Sequence, residues 1–260
     1  RYALENNILC FNVESEGELL VINEEASYLS VTANISIRVN PDVAVESHPY
    51  ISTGMKDNKF GITYNNALEL YIKASKLSSL NIIGIDFHIG SQITSIKPYL
   101  DSIKSIRSLV SELKKENINI THIDVGGGLG ISYEDEDIVS KADYIKEITN
   151  SLKDLNLTIL FEPGRSVIGD CGLLVTKLQY IKESETKNFM IVDASMSELL
   201  RPPLYDAFHK ITPVIKRNTS YKTYDIVGPV CESADFLGKE RLMNSEVDDF
   251  LVIEDVGCLL

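Results

Sequence analysis

Basic residues are scarce in this 260-residue sequence, and their scarcity narrows the classes of partner. Lys and Arg number 25 against 38 Asp and Glu, which gives a formal net charge of −13. Nucleic acids and anionic membranes bind to basic surfaces, so neither is expected as the main partner. The net charge does not exclude an anionic small molecule as a ligand, because such a ligand needs only a local cluster of positive groups.

Long apolar runs and closely paired cysteines are absent as well. No run approaches the roughly 20 residues that a membrane-spanning helix needs. Arg1 stands where a methionine would start a chain, and no basic-then-apolar leader follows it, so the N-terminus is expected to have been cut or trimmed. No CxxC pair occurs, which predicts reduced thiols in a cytoplasmic protein. The four cysteines are Cys10, Cys171, Cys231 and Cys258.

Apolar residues make up 44% of the sequence, enough for one large domain or two modest ones. The first two-thirds of the chain alternate between short runs rich in Ile, Val and Phe and longer segments with helical spacing. Such runs are typical of buried parallel strands with two apolar faces, and the alternation indicates an α/β fold. Strands are predicted at 10–15, 34–40, 81–90, 118–128 and 157–164, and helices at 16–28, 65–76, 95–116 and 142–152.

The positions of polar residues favour a TIM barrel over a doubly wound sheet, although both fit the alternation. His88, the glycines at 126–128, and Glu162 with Arg165 fall at the C-terminal ends of successive predicted strands. A barrel collects these strand ends in one ring. Five strands are predicted where a closed barrel has eight, so roughly three βα units are expected to be missing upstream. An open barrel of this kind is expected to be poorly stable by itself.

The sequence changes character after Val167. Helical periodicity fades, and short β-rich runs separated by prolines and glycines follow at 172–183, 188–195, 221–231 and 249–257. This pattern indicates an antiparallel β domain. We therefore predict two domains, a partial barrel over 1–166 and a C-terminal β domain over 167–260.

A carboxylate and a guanidinium bracket a Pro-Gly pair at the end of the fifth predicted strand. In Glu162-Pro163-Gly164-Arg165, the glycine lets backbone N–H groups approach an anion, and the arginine offers a planar fork to a phosphate or carboxylate. The glutamate could hold a proton on a heterocyclic nitrogen. The competing interpretation is a strand end with a surface salt bridge.

Two further strand ends carry groups suited to a flat, phosphorylated ligand. The glycines at 126–128, in Asp-Val-Gly-Gly-Gly-Leu-Gly, could cradle a phosphate, although the spacing fits neither the P-loop nor the GxGxxG pattern. His88 could stack on a ring, and Ser91 could donate to a phosphate. The alternatives are a ligand-free glycine turn and a structural histidine. The other histidines, interpreted as structural or surface groups, are His48, His122 and His209.

The C-terminal region holds two more sets of reactive or charged side chains. Cys231 and Glu232 lie in Gly-Pro-Val-Cys-Glu-Ser, where a thiol beside a carboxylate could donate a proton or act as a nucleophile. The alternative is a small buried apolar residue, which is the interpretation for Cys10 and Cys171. Arg-Pro-Pro-Leu-Tyr at 201–205 adds a second guanidinium and a phenol, both able to bind a substrate carboxylate.

Each motif is ambiguous alone, but their order is specific. The sequence runs HIGSQ, GGGLG, EPGR, RPPLY and GPVCES, and it also carries RYALENNILCFNVES, RVNPDV and HPYISTGMKDNKFGI. This set resembles the diaminopimelate decarboxylase family of fold-type III pyridoxal-phosphate enzymes over residues 1–257. The related ornithine and arginine decarboxylases typically carry an aspartate after the cysteine, where this chain has Glu232.

The resemblance implies a pyridoxal 5′-phosphate cofactor and no metal. His88 would stack on the pyridine ring, and Glu162 would keep the pyridine nitrogen protonated, which makes the ring an electron sink. Pro163 and Arg165 belong to the same implied cofactor site. The residues implied at the cofactor phosphate are Gly126, Gly127, Gly128, Gly164 and Ser91.

The resemblance further implies decarboxylation of meso-2,6-diaminopimelate to L-lysine with release of CO2, a step of lysine biosynthesis. Arg165, Arg201 and Tyr205 would hold the distal end of the substrate, and Glu232 would take its distal ammonium group. Cys231 would return a proton to the α carbon. The family forms its sites at a homodimer interface, so the cysteine and the glutamate beside it would act in the partner subunit.

Two departures from the family pattern leave alternatives open. The family's cofactor lysine lies in a Tyr-Ala-x-Lys-Ala-Asn stretch that this sequence does not contain. Asp255-Val256-Gly257 is followed by Cys258, where the family continues with Ala-Tyr-Gly. The chain is therefore expected to be a catalytically incomplete fragment of such a decarboxylase. The alternatives are a decarboxylase of ornithine or arginine and an inactive remnant of a split or decayed gene.

Overall fold

A computed structural model describes residues 1–43 and 59–258 of the chain. Within these ranges the chain forms two compact units, one of residues 1–130 with 139–163 and the other of residues 131–138 with 164–260. Most of the family-like stretch at 48–62, including His48, lies outside the described residues. No helix in the described ranges is long and apolar enough to cross a membrane. The domain boundary predicted between residues 166 and 167 stays a proposal.

The first unit is built on a parallel sheet with helices between its strands. The strands are β1 (Phe11–Val13), β2 (Ala33–Asn40), β3 (Ile62–Thr63), β4 (Leu80–Asp86), β5 (His122–Asp124) and β6 (Thr158–Leu160). The helices are α1 (Tyr2–Glu5), α2 (Glu16–Tyr28), α3 (Tyr64–Ala74), α4 (Lys97–Lys115) and α5 (Lys141–Leu152), with a 3₁₀ turn at Lys153–Leu155. Within the described residues the sheet order is β1-β2-β4-β5-β6, and β3 pairs with β2. Every pair in it is parallel.

Local sequence signals account for the helices of this unit. Along α4, Ile103, Ile106 and Leu113 are buried, and their three- and four-residue spacing places them on one face. Helix α2 begins at a cap in which the Ser15 hydroxyl accepts from the Glu18 N–H at 3.2 Å. The five strands and four helices predicted for this region are present, and the predicted partial α/β barrel is confirmed.

The strands are apolar on one face only, which corrects the expectation of two apolar faces. Along β2, Ile35 and Ile37 are fully buried in the core of the unit. Ser36 and Arg38 point to the opposite side, because side chains alternate along a strand. Arg38 pairs in register with Asp86 of β4, so charged groups of both signs share this second face. The sheet therefore has one apolar core face and one polar face.

The second unit is a β-sheet with its own core. Its strands are β7 (Leu174–Lys182), β8 (Phe189–Val192), β9 (Ile211–Pro213), β10 (Lys222–Val227), β11 (Phe236–Met243) and β12 (Phe250–Ile253). Helices α6 (Arg165–Ile168) and α7 (Arg201–Tyr205) and a 3₁₀ turn at Gly169–Cys171 complete it. Within the described residues the order is β11-β10-β8-β7-β12-β9.

The predicted antiparallel β domain is confirmed with one parallel exception. Strands β8 and β10 pair in parallel, whereas the other neighbours among the described strands are antiparallel. Strands β9 and β11 do not follow from the sequence pattern. Strand β11 has the sequence FLGKERLM, and its three consecutive charged residues interrupt the apolar pattern that marked the other strands. The core consists chiefly of Leu178, Val192, Ile226, Leu251 and Ile253.

Candidate active site

Three parallel strands of the first unit end at the same level. Asp86, Asp124 and Leu160 are register partners at the carboxyl ends of β4, β5 and β6. His88, the glycines at 126–128 and Glu162 come directly after these ends. Because neighbouring parallel strands end together, these groups emerge side by side at one edge of the sheet.

Backbone hydrogen bonds join His88 and Glu162 to the glycine loop. The Gly127 N–H donates to Nδ1 of His88 at 3.2 Å, and the Glu162 N–H donates to the Gly126 carbonyl at 2.8 Å. The Asp124 carboxylate accepts from the Gly126 N–H at 2.9 Å. Burial lowers the pKa of His88 to about 4, so its imidazole is neutral at physiological pH. The imidazole and the backbone of Glu162 therefore flank a single loop.

The loop has no room for a side chain at any of its three glycines. A Cβ on Gly126 would lie 2.6 Å from the carbonyl oxygen of Phe87. A Cβ on Gly127 would lie 2.1 Å from the carbonyl oxygen of Glu162, and a Cβ on Gly128 would lie 2.1 Å from that of Gly90. Gly128 also has a φ of +96°, a conformation that favours glycine. The Tyr99 hydroxyl donates to the Gly127 carbonyl at 3.0 Å. A glycine loop held in this way exposes backbone that can approach a phosphate closely.

Two aspartates beside Glu162 had been given no role from sequence. Asp86, Asp124 and Glu162 each place a carboxylate oxygen within 4.8 Å of the other two. Burial raises the pKa of Asp86 well above its usual range, and the Asp124 carboxylate raises it further. Burial and then Asp124 also raise the pKa of Glu162. Glu162 is the exposed member of the three, so it is the carboxylate that a ligand can reach. The signal in the sequence is a carboxylate inside each of two otherwise apolar predicted strands, at 81–90 and 118–128.

The remaining predicted phosphate-site residues lie in loops. Ser91 is half-buried in the loop that follows β4, and Pro163 is exposed after β6. Gly164 precedes α6, and a Cβ on it would meet no atom within 4 Å. Gly164 therefore differs from the loop glycines, because the protein itself leaves space at that position.

The second unit holds a buried cluster of two arginines, a tyrosine and a histidine. Arg165 Nη1 donates to the Tyr133 hydroxyl at 2.6 Å, and the Arg201 guanidinium lies 4.5 Å from the centre of the same ring. His209 packs edge-on against that ring at 5.2 Å between centroids, and its Nε2 lies 2.9 Å from Arg201 Nη1. All four residues are buried. The structure thus joins the predicted Arg165 and Arg201 to two residues that the motifs did not reveal.

The Arg201 guanidinium is buried without an anionic partner among the described residues. Arg201 is 4% exposed, and no ion pair in the described ranges includes it. Its Nε has no hydrogen-bond acceptor there either. Burial lowers the pKa of this guanidinium because removal from solvent penalises its charged form, and the nearby Arg165 lowers it further. Such a group suits the carboxylate of a ligand. Tyr205 ends the same short helix and is half-buried.

Cys231 and Glu232 are exposed in the loop between β10 and β11. Asp235 closes this loop at its base, since its carboxylate accepts from the Val230 N–H at 2.9 Å and from the Met196 N–H at 2.6 Å. Asp235 itself is only 3% exposed. The loop is therefore anchored by a buried carboxylate while its two predicted functional side chains stay accessible.

The cysteines correct one structural expectation. Cys171 is exposed, although the sequence suggested a small buried apolar residue, because it lies in the 3₁₀ turn that follows α6. Cys10 is partly buried, and its Sγ lies 3.8 Å from Nε2 of His122. Burial raises the pKa of the Cys10 thiol, so this pair is not an activated nucleophile. None of the four cysteines forms a disulfide within the described part of the chain.

The family model and the similar sequences both point to pyridoxal-dependent decarboxylases. Residues 1–169 match the family described as pyridoxal-dependent decarboxylase, pyridoxal binding domain. The chain is 47% identical to diaminopimelate decarboxylase of Vibrio cholerae over 256 residues, which cover 98% of this chain and 61% of the relative. It is 46% identical to the Pseudomonas aeruginosa enzyme, over 99% of this chain and 62% of that relative.

Solved structures agree with the sequence relatives. The crystal structure of diaminopimelate decarboxylase from Helicobacter pylori complexed with L-lysine superimposes with a TM-score of 0.93 at 42% identity, covering 98% of this chain and 64% of that one. The M. jannaschii enzyme in co-complex with L-lysine gives 0.91 at 38% identity, with 98% and 61% covered. The chain thus spans less than two-thirds of the length of these relatives. It belongs to the pyridoxal-dependent decarboxylase family and, within that family, is similar to diaminopimelate decarboxylases.

Proposed function

We propose that the protein carrying this chain is a pyridoxal-phosphate-dependent decarboxylase that converts meso-2,6-diaminopimelate to L-lysine and CO2. The observation that carries the proposal is the arrangement of His88 and Glu162 on either side of the glycine loop at 126–128. An aromatic ring, a carboxylate and a bare backbone loop at one sheet edge fit the ring, the ring nitrogen and the phosphate of this cofactor.

Each residue at this edge then has a definite task. The glycine loop lets backbone approach the phosphate closely, because no side chain projects from it. The N–H groups of Gly126 and Gly127 hold the shape of the loop through Asp124 and His88. His88 presents the face of a neutral imidazole to the cofactor ring. The Glu162 carboxylate would accept a hydrogen bond from the protonated ring nitrogen. When bound, the cofactor supplies the electron sink for the bond that breaks as CO2 leaves. Ser91, Pro163, Gly164 and Arg165 complete the proposed cofactor contacts.

The proposed substrate contacts belong to the second unit. The buried Arg201 guanidinium has an unsatisfied Nε among the described residues, which suits the distal carboxylate of the substrate. Arg165 and Tyr205 would support that contact. Glu232, exposed in its loop, would bind the distal ammonium group, and Cys231 beside it would return a proton to the α carbon.

We extend the proposal to a cytoplasmic homodimer with a shared active site. Support comes from the exposure of Cys231 and Glu232 on a loop whose base is held by Asp235, since exposed side chains on such a loop can reach a neighbouring subunit. The cytoplasm is the expected compartment because the described residues contain no disulfide and amino acid biosynthesis takes place there.

The proposal can be tested on the full-length protein that carries this chain. An in-frame Tyr-Ala-x-Lys-Ala stretch upstream of Arg1 in the coding sequence would supply the cofactor lysine, whereas a stop codon there would support an inactive remnant. The purified protein, loaded with pyridoxal 5′-phosphate, should release CO2 from meso-diaminopimelate and form L-lysine, with far lower turnover of ornithine and arginine. Glu162→Gln should lower kcat while the protein still folds. Preferential turnover of ornithine or arginine would reassign the substrate, and no turnover of any of the three would support an inactive remnant.

A further inference from the structure

His209 is a fully buried histidine of the second unit with a partner on each ring nitrogen. Its Nε2 lies 2.9 Å from Nη1 of Arg201, and its Nδ1 lies 2.9 Å from the main-chain carbonyl oxygen of Glu254. Its exposed fraction is 0%. Glu254 follows β12, and its N–H also donates to the carbonyl of Lys210 at 2.9 Å. The imidazole thus connects the short helix that carries Arg201 to the end of a sheet strand.

The chemistry of the two partners fixes the tautomer of this imidazole. A guanidinium can only donate hydrogen bonds, and a carbonyl oxygen can only accept them. Nε2 of His209 must therefore accept from Arg201, and Nδ1 must carry the proton that is donated to Glu254. The guanidinium groups of Arg201, Arg165 and Arg241 add to the effect of burial and lower the pKa of His209 to about 4. In the folded protein the imidazole is therefore neutral near neutral pH.

The hydrogen bond also determines which edge of the guanidinium stays available. His209 binds Nη1, whereas Nε is buried without an acceptor among the described residues. The Nε–H and one N–H of Nη2 point along the same edge, and this fork can bind both oxygens of a carboxylate. The Tyr133 ring lies 4.5 Å from the guanidinium carbon. Arg201 is therefore held by His209 and Tyr133, and its opposite edge remains for a ligand.

We propose that His209 is a positioning residue that holds Arg201 so that the Nε–Nη2 edge binds the distal carboxylate of the substrate. The inference rests on the proposed function, in which L-lysine retains that carboxylate. A neutral acceptor suits the task for an electrostatic reason. A carboxylate in place of His209 would pair with the guanidinium and cancel the positive charge that attracts the ligand, whereas the imidazole fixes the geometry and leaves the charge.

Two substitutions separate this role from simple packing. His209→Phe keeps a ring of similar size but removes the acceptor, and His209→Gln can place an amide oxygen near the position of Nε2. In the full-length, cofactor-loaded protein, His209→Phe should raise KM for meso-diaminopimelate about tenfold while kcat changes less than about threefold. His209→Gln should restore KM to within about threefold of the wild-type value. Cofactor absorbance should be unchanged in both variants.

Equilibrium binding provides a readout that does not need turnover. By calorimetry, His209→Phe should weaken L-lysine about tenfold, yet change the affinity for 1,5-diaminopentane, which lacks the carboxylate, less than about twofold. In an Arg201→Lys background, where no fork exists, His209→Phe should have no further effect. Equal weakening of both ligands, an additive effect on Arg201→Lys, or an unchanged KM would each overturn the role of His209.

The two proposals fail in different ways. Absence of CO2 release by the wild-type protein contradicts the proposed function. The ratio of L-lysine affinities between wild type and His209→Phe then still decides the role of His209, because both proteins are measured with the same ligand. A normal wild-type turnover with equal L-lysine affinities would retain the decarboxylase and reject the positioning role.

Discussion

The backbone N–H of Gly127 donates a hydrogen bond to Nδ1 of His88 across 3.2 Å. Because an N–H can only donate, Nδ1 must be unprotonated and the imidazole proton must sit on Nε2. The low pKa of His88, about 4, agrees with this neutral state. The glycine loop therefore fixes both the orientation and the tautomer of the ring that we propose to stack on the cofactor.

Gly127→Ala should disrupt this arrangement. Its Cβ would lie 2.1 Å from the backbone carbonyl of Glu162, so one of the two chain segments must move. We expect a loss of roughly 1–3 kcal/mol in the free energy of unfolding and at least a tenfold weaker affinity for pyridoxal 5′-phosphate. Urea unfolding and fluorescence titration measure these quantities. Gly17→Ala is the matched control, because its Cβ would meet nothing within 4 Å in the first turn of α2. Comparable effects of both substitutions would contradict the prediction.

Gly164→Ala should distinguish a ligand contact from a packing contact. The protein leaves open space around a Cβ at this position, so the unfolding free energy should change by less than about 0.5 kcal/mol. If the cofactor phosphate approaches this backbone, the added methyl group should weaken pyridoxal 5′-phosphate binding severalfold even though the fold is intact. An unchanged dissociation constant would remove Gly164 from the proposed phosphate site.

Asp235→Ala should release the loop that carries Cys231. The substitution removes the acceptors of the Val230 and Met196 N–H groups, at a cost of roughly 1–3 kcal/mol in stability. The kcat of the full-length enzyme should fall, whereas its affinity for the cofactor should not change. Asp206→Asn is the control, since its exposed pair with Lys239 contributes little, and less than about 0.5 kcal/mol should be lost. Unchanged kcat in Asp235→Ala would contradict an anchoring role.

His209 should make stability depend on pH in a defined direction. Its pKa is about 4 in the folded protein and about 6.5 when unfolded, so the unfolded chain binds more protons between these values. Its contribution to stability is present above about pH 6.5 and is lost as the pH falls towards 4. When the pH is raised from about 5 to 6.5, the free energy of unfolding of the wild type should increase by about 2 kcal/mol more than that of His209→Gln. Parallel pH profiles of the two proteins in urea unfolding would refute this.

Sequence patterns predicted most elements of the fold because they are local. The apolar spacing of Ile103, Ile106 and Leu113 was sufficient for α4, and short β-branched runs were sufficient for every strand of the first unit except the two-residue β3. Strand β11 was missed because three consecutive charged residues obscure its alternation. The parallel pairing of β8 with β10 joins segments more than 30 residues apart, and nothing in either segment specifies that direction.

In the candidate site, too, some features were predictable from local sequence and others depend on tertiary contacts. The sequence by itself determined that His88, the glycines at 126–128 and Glu162 follow strand ends, because a parallel sheet brings such ends together. Only the tertiary structure decided that His209 binds Arg201 and that Asp235 anchors the loop of Cys231. These partners share no motif and gain their roles from burial, which removes water as a competing partner and makes each hydrogen bond depend on residues distant in the chain.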